Sequence, residues 1–166
     1  LTDPSYAGQI LILTYPLIGN YGVPEMKIDQ GLPLAFESEK VQVAGLVVSR
    51  YSASYHHWNA RATLGEWLDQ QGVPGITGLD TRNLTQRIRE EGAMKARIVV
   101  GEDVPPFRDT VSENLVASVS VTKPVTYGRG RYRVLLIDCG VKANIIRHLL
   151  RRNCEVIRLP WDADYS

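Results

Sequence analysis

Cys139 and three histidines, His56, His57 and His148, are the residues whose types invite a catalytic reading. A cysteine becomes a nucleophile when a neighbouring base or a positive microenvironment generates its thiolate. Cys139 lies in a strand-to-helix turn, Ile137-Asp138-Cys139-Gly140-Val141, where a nucleophile elbow would read G-x-C-x-G. Ile137 is large and β-branched where the elbow needs a small residue. No histidine is placed to activate the thiol, because His148 falls on the following helix and His56 and His57 belong to an earlier region. The residues therefore favour a buried structural cysteine, and Cys154, opening an apolar strand, is plainer still. His56 and His57 tempt a metal reading, but strand neighbours point apart and no Asp, Glu or Cys stands at ligand spacing. No metal site is expected.

The other chemical signals are weaker. Only Gly140 stands in the turn where a dinucleotide site would need G-x-G-x-x-G, so nothing would hold backbone close to a pyrophosphate. Arg129, Arg131 and Arg133 sit among Pro124, Gly128 and Gly130, a linker composition in which arginines solvate a junction rather than grip phosphate. With 19 basic and 18 acidic residues, charge makes no case for a nucleic-acid or membrane partner. No apolar run approaches the roughly 20 residues of a membrane span, and the first residues lack a signal-peptide layout. Two cysteines suit a reducing, cytosol-like compartment, so a cytoplasmic location is expected. The chain opens on Leu1 rather than Met and stops just after a strand-like run. Both ends look cut, and a fragment of a longer protein is the expectation.

The positioning elements follow from periodicity. Gln9–Tyr15 and Val41–Val48 are continuous apolar runs of strand length, the first ended by Pro16 and Gly19-Asn20-Tyr21-Gly22. Leu32–Phe36 reads as a short helical or turn segment. Thr63 caps a helix over 64–71 with a Leu64, Trp67, Leu68 stripe, and Gly72 stops it. Asp80 caps a second helix, on which Leu84 and Ile88 share a face, and Gly92 ends it. Ala96–Val100 reads as a strand, and so does the alternating run Asn114–Val121. From Val134 the texture changes: an apolar run, a tight turn, a helix over 141–152 and a strand over 155–160 make a βαβ unit with a parallel sheet.

Several literal strings carry more than their patterns. Gly78-Leu79-Asp80-Thr81-Arg82-Asn83-Leu84-Thr85, with Asp3-Pro4-Ser5-Tyr6, Thr14–Gly22 and Asp138–Arg147, closely resembles the small, glutamine-hydrolysing subunit of carbamoyl-phosphate synthase. The resemblance extends from Leu1 to about Asp162, more faintly over 23–43 and 102–113. It implies an α/β fold: a mixed-sheet β/β/α swivelling N-terminal domain over 1–122, a linker over 123–132, and the first βαβ of a class I glutamine amidotransferase (glutaminase) domain over 133–166. It also implies that about forty residues of the family's first strands precede this stretch, and that the catalytic Cys, His and Glu follow it. No catalytic residue is then expected in this chain, and the chain alone should be inactive.

One glutamine contact of the family does fall here, the serine of the DPSY segment, which is Ser5. Read without the family, Ser5 is a turn hydroxyl bonding its own backbone. The resemblance further implies hydrolysis of L-glutamine to glutamate and ammonia, and delivery of the ammonia to a large subunit, separate or fused. That subunit uses ATP and Mg to make carbamoyl phosphate from bicarbonate for arginine and pyrimidine synthesis, and no cofactor is expected in this chain. Two other readings stay open: a stand-alone interaction domain without catalytic partner, and an unrelated hydrolase using Cys139.

Overall fold

The computed structural model describes every residue of the chain except 103, 105, 108–111, 165 and 166. In chain order its elements begin with a 3-10 turn at Pro4–Tyr6, then β1 (Ile10–Ile18), β2 (Val23–Pro24), β3 (Ile28–Asp29), β4 (Leu32–Pro33) and β5 (Gly45–Tyr51). There follow β6 (Ala60–Ala62), α1 (Leu64–Gln70), β7 (Gly75–Ile76), α2 (Thr81–Glu91) and α3 (Leu115–Val119). The last four are β8 (Val125–Tyr127), β9 (Tyr132–Asp138), α4 (Ala143–Leu150) and β10 (Cys154–Pro160). The chain is a mixed α/β protein with four sheets among the described residues. Two compact units share it and interleave along the sequence. One takes Leu1, Gly8–Glu25 and Val43–Asp109; the other takes Thr2–Ala7, Met26–Gln42 and Thr110–Ser166.

In the first unit β1, β5 and β7 form a parallel sheet in that order. Leu46, Val47 and Val48 of β5 are all buried, as expected of a central strand covered on both faces. The register of β1 on β5 shifts between Leu13 and Leu17. Pro16 lies in that interval, and a residue without an N–H is tolerated at an irregularity of the ladder. β1 therefore runs past the expected stop at Pro16. β5 begins at Gly45, later than the apolar run at Val41 suggested.

Helix α1 starts with a full capping box. Thr63 Oγ1 accepts the Glu66 N–H at 3.1 Å, and Glu66 Oε2 accepts the Thr63 N–H at 2.8 Å. Asp80 caps α2 by accepting the Asn83 N–H at 3.0 Å, and Gly92 ends it at φ +83°. Leu84 and Ile88 are the half-buried face of α2, while its arginines are exposed.

Two expected strands are absent. Ala96–Val100 joins no sheet and is exposed apart from half-buried Ile98. β-branched composition alone does not make a strand, which exists only where its backbone pairs with a neighbour. The run 114–121 contains the helix α3 instead, because Asn114 accepts the Ala117 N–H at 3.0 Å and nucleates a turn. Leu32-Pro33 is likewise not helical; it pairs antiparallel with Ile28-Asp29 as β4.

The second unit is built on the βαβ. β9 and β10 pair in parallel from Tyr132↔Cys154 to Pro160↔Asp138, and β8 adds antiparallel to β10. α4, two residues shorter at each end than its apolar pattern, buries Ala143 and Ile146 on this sheet. The core there is Leu32, Tyr127, Ala143, Ile146, Cys154 and Val156. Leu32 joins it from the 26–42 segment, far from the βαβ in sequence.

Candidate functional site

Ser5 sits in the 3-10 turn Pro4–Tyr6 and is exposed. Asp3 caps the turn: its Oδ1 accepts the Ser5 N–H at 3.0 Å, and the Ser5 hydroxyl also bonds this carboxylate. Asp3 Oδ2 pairs with Lys142 Nζ at 2.6 Å. Burial alone would raise the Asp3 pKa, but the Lys142 ammonium and the Ser5 donors outweigh it and hold the carboxyl below its ordinary range. The same contact raises the Lys142 ammonium above its ordinary value. Pro4 is buried, and a Cβ on Gly140 would lie 3.2 Å from it. Gly140 has φ +95°, so its turn needs glycine for space and for backbone conformation.

The start of the turn is tied down as well. Thr2, buried, accepts the Glu37 N–H on Oγ1 at 3.0 Å, and its carbonyl accepts the Ser38 hydroxyl at 2.6 Å. Glu37 in turn serves α4. Its carbonyl accepts the Ala143 N–H and its Oε2 accepts the Asn144 N–H, both at 2.9 Å. Lys142, the N-cap of α4, provides no side-chain cap of its own. Glu37 and Thr2 carried no signal in the sequence beyond their polarity, since each acts on a residue remote along the chain. A cleft of about 640 Å³ in the same unit is lined by Glu37, Ser38, Gln42, Tyr127 and Arg158, but not by Ser5.

Cys139 is exposed, which corrects the expectation of a buried thiol. The inward residue of the turn is its neighbour. Asp138 is fully buried and accepts the N–H groups of Gly140, Val141 and Val121 at 3.1, 2.9 and 2.6 Å. With Asp138 turned in at the end of β9, the next side chain is turned out. Cys154 is buried. His148, on α4, lies 3.4 Å from Arg152. In the first unit the His57 ring packs against Tyr21 and Trp58, and its Nδ1 accepts the Asn59 N–H at 3.3 Å. Among the described residues no three His, Cys, Asp or Glu side chains gather to hold a metal ion. Of the linker arginines, Arg133 pairs with Glu155 and Arg131 lies over the Tyr132 ring.

Helices combined with one parallel and one mixed sheet place the chain among α/β proteins, and comparison with known proteins narrows this. The model of the carbamoyl-phosphate synthase small chain, CPSase domain, matches residues 1–98. The chain belongs to the carbamoyl-phosphate synthase small chain family. It is 46% identical to the arginine-specific small chain of carbamoyl phosphate synthase from Saccharomyces cerevisiae, a match over 98% of this chain and 41% of that protein. It is 44% identical to the Pyrococcus furiosus small chain, over 99% of this chain and 47% of the relative. It is also 45% identical to the mitochondrial carbamoyl-phosphate synthase [ammonia] of Aquarana catesbeiana, over the whole of this chain and 11% of that protein. The chain thus spans less than half the length of each of these relatives.

Proposed function

We propose that this chain works as part of a glutamine-dependent carbamoyl-phosphate synthase. The whole protein hydrolyses glutamine to glutamate and ammonia, and a large chain, separate or fused, uses the ammonia with ATP and Mg to make carbamoyl phosphate from bicarbonate. The observation that carries the reading is the Asp3-anchored turn with Ser5 exposed on it, in a chain similar throughout to small chains of this enzyme. An exposed hydroxyl whose backbone is fixed on both sides is suited to reach a polar ligand, and Ser5 binds glutamine in this reading. Residues 1–122 then act as the swivelling N-terminal domain, 123–132 as the linker and 133–166 as the opening of the glutaminase domain. Thr2–Ala7, Met26–Gln42 and the stretch up to 122 that contains α3 are the parts of the first that group with the last. The name of the yeast relative points to arginine synthesis as one use of the product, in the cytoplasm.

The test is Ser5→Ala in the full small chain assembled with its large chain. Loss of one hydrogen bond to a buried polar ligand costs roughly 0.5–1.5 kcal/mol, or a rise of about 2- to 10-fold in glutamine KM. Synthesis from free ammonia enters after the hydrolysis step and is expected to be unchanged. An unaltered glutamine KM would remove Ser5 from the site.

The name of the frog relative favours a second reading, in which free ammonia is the nitrogen donor. The full protein then shows no glutamine-dependent synthesis at any glutamine concentration, while ammonia supports full turnover.

A further inference from the structure

We infer that Glu37 is a positioning residue for Ser5; the inference rests on the reading of Ser5 as a glutamine contact. Ser5 is exposed, so its place is set by the backbone and by Asp3 rather than by packing of its own side chain. Asp3 is held from two directions. Lys142 pulls on its Oδ2 at 2.6 Å, and Thr2 fixes the peptide just before it. Glu37 stands behind both holds.

On one side the Glu37 N–H bonds Thr2 Oγ1, and the neighbouring Ser38 hydroxyl bonds the Thr2 carbonyl. On the other side Glu37 supplies the cap that Lys142 lacks, taking the Ala143 and Asn144 N–H groups with its carbonyl and Oε2. A carboxylate at this end of α4 also meets the positive end of the helix dipole. Fixing the first turn of α4 fixes the backbone of Lys142 and directs its ammonium at Asp3. Arg147 closes the arrangement: its Nη2 lies 3.8 Å from Glu37 Oε1, and its Nη1 donates to the Pro33 and Phe36 carbonyls. The bonds thus form a ring, Ser5 to Asp3 to Lys142, along the start of α4 to Glu37, and back through Thr2. Every member lies within the second unit.

A group that only orients a binding residue changes ligand affinity and not turnover of the bound complex. The experiment is therefore a cycle of Glu37→Ala, Ser5→Ala and the double variant in the full small chain assembled with its large chain. Glu37→Ala is expected to raise glutamine KM by about 2- to 10-fold with kcat and ammonia-dependent synthesis unchanged. In the Ser5→Ala background the same substitution is expected to add less than about 2-fold, because its effect passes through the missing hydroxyl. Glu37→Gln keeps an acceptor for the Asn144 N–H and is expected to rescue most of the loss. If Glu37→Ala does not fold, Glu37→Asp carries the test: it withdraws the carboxylate by one methylene and is expected to raise KM in the same way.

An unchanged KM in Glu37→Ala or its Asp substitute, with a raised KM in Ser5→Ala, overturns the role of Glu37 and leaves Ser5 standing. So does an equal rise with and without the Ser5 hydroxyl, or an equal loss with ammonia as donor. An unchanged KM in Ser5→Ala itself overturns the glutamine reading, and this inference with it.

Discussion

Arg158 Nη2 lies 2.7 Å from Oδ2 of the fully buried Asp138, while the Nε of the same guanidinium is buried without a hydrogen-bond partner. The pair joins the end of β9 to β10, and Asp138 also gathers three backbone N–H groups, from Gly140, Val141 and Val121. Removing one member of a buried pair strands the other charge, at a cost of about 3–5 kcal/mol. Asp138→Asn is expected to lose stability on this scale in urea titration. Adding Arg158→Met is expected to recover part of the loss, since no uncompensated charge remains. A double variant no more stable than Asp138→Asn would mean that the backbone bonds of Asp138, rather than the ion pair, carry the effect.

The Asp3–Lys142 pair predicts where in pH its stabilisation operates. Asp3 is depressed below its ordinary range, so its contribution is present above the unfolded carboxyl's pKa and fades as pH falls toward the folded one. Lys142 is raised, so its contribution is present below the unfolded lysine's pKa and is lost as pH rises through the folded one. The stability gap between the wild-type chain and Asp3→Asn is therefore expected to be open at neutral pH and to close as pH falls from the unfolded carboxyl's pKa through the depressed folded one. Because the pair needs both charges, the gap to Lys142→Met is expected to close on the same acid side, and both gaps are expected to narrow as alkali deprotonates Lys142. Urea midpoints measured across the range decide it, and a gap that stays constant from neutral to acid removes the charge pairing from the account.

What the sequence disclosed was local. The Thr63 cap, the Asp80 cap and the Gly92 stop act within four residues of themselves, and each stands in the structure where the sequence put it; the Glu66 half of the box at α1 came only with the structure. The βαβ was equally legible, because strand, helix and strand follow one another and pair in parallel. The failures were those of partners. Ala96–Val100 has strand composition but pairs with no strand, and 114–121 alternates like a strand but carries an Asn114 cap that starts a helix. The site divides the same way. Ser5 was reached by resemblance, and its Asp3 cap lies two residues away, whereas Glu37 meets Asn144 across 107 positions of sequence. No periodicity in a single chain reports a contact of that separation.

The capping box of α1 offers a measure of how much such a local signal is worth here. Thr63→Ala removes the acceptor for the Glu66 N–H and is expected to cost about 0.5–2 kcal/mol in urea unfolding. Thr63→Ser keeps the hydroxyl and is expected to cost much less. Equal losses in the two would assign the effect to the Thr63 methyl rather than to the cap.

The last prediction follows from the opposite placement of the two thiols. Cys139 is exposed on the turn after β9, while Cys154 is buried in the core with Tyr127, Ile146 and Val156. A thiol reagent reaches an exposed cysteine directly, but reaches a buried one only when the structure opens, so the second rate follows the opening equilibrium. Pulse labelling of the native chain followed by peptide mass analysis is expected to modify Cys139 at once and Cys154 slowly. Sub-denaturing urea should speed the second reaction and leave the first almost unchanged. Labelling that leaves Cys139 as protected as Cys154 would return it to the interior and contradict the outward turn that follows from the burial of Asp138.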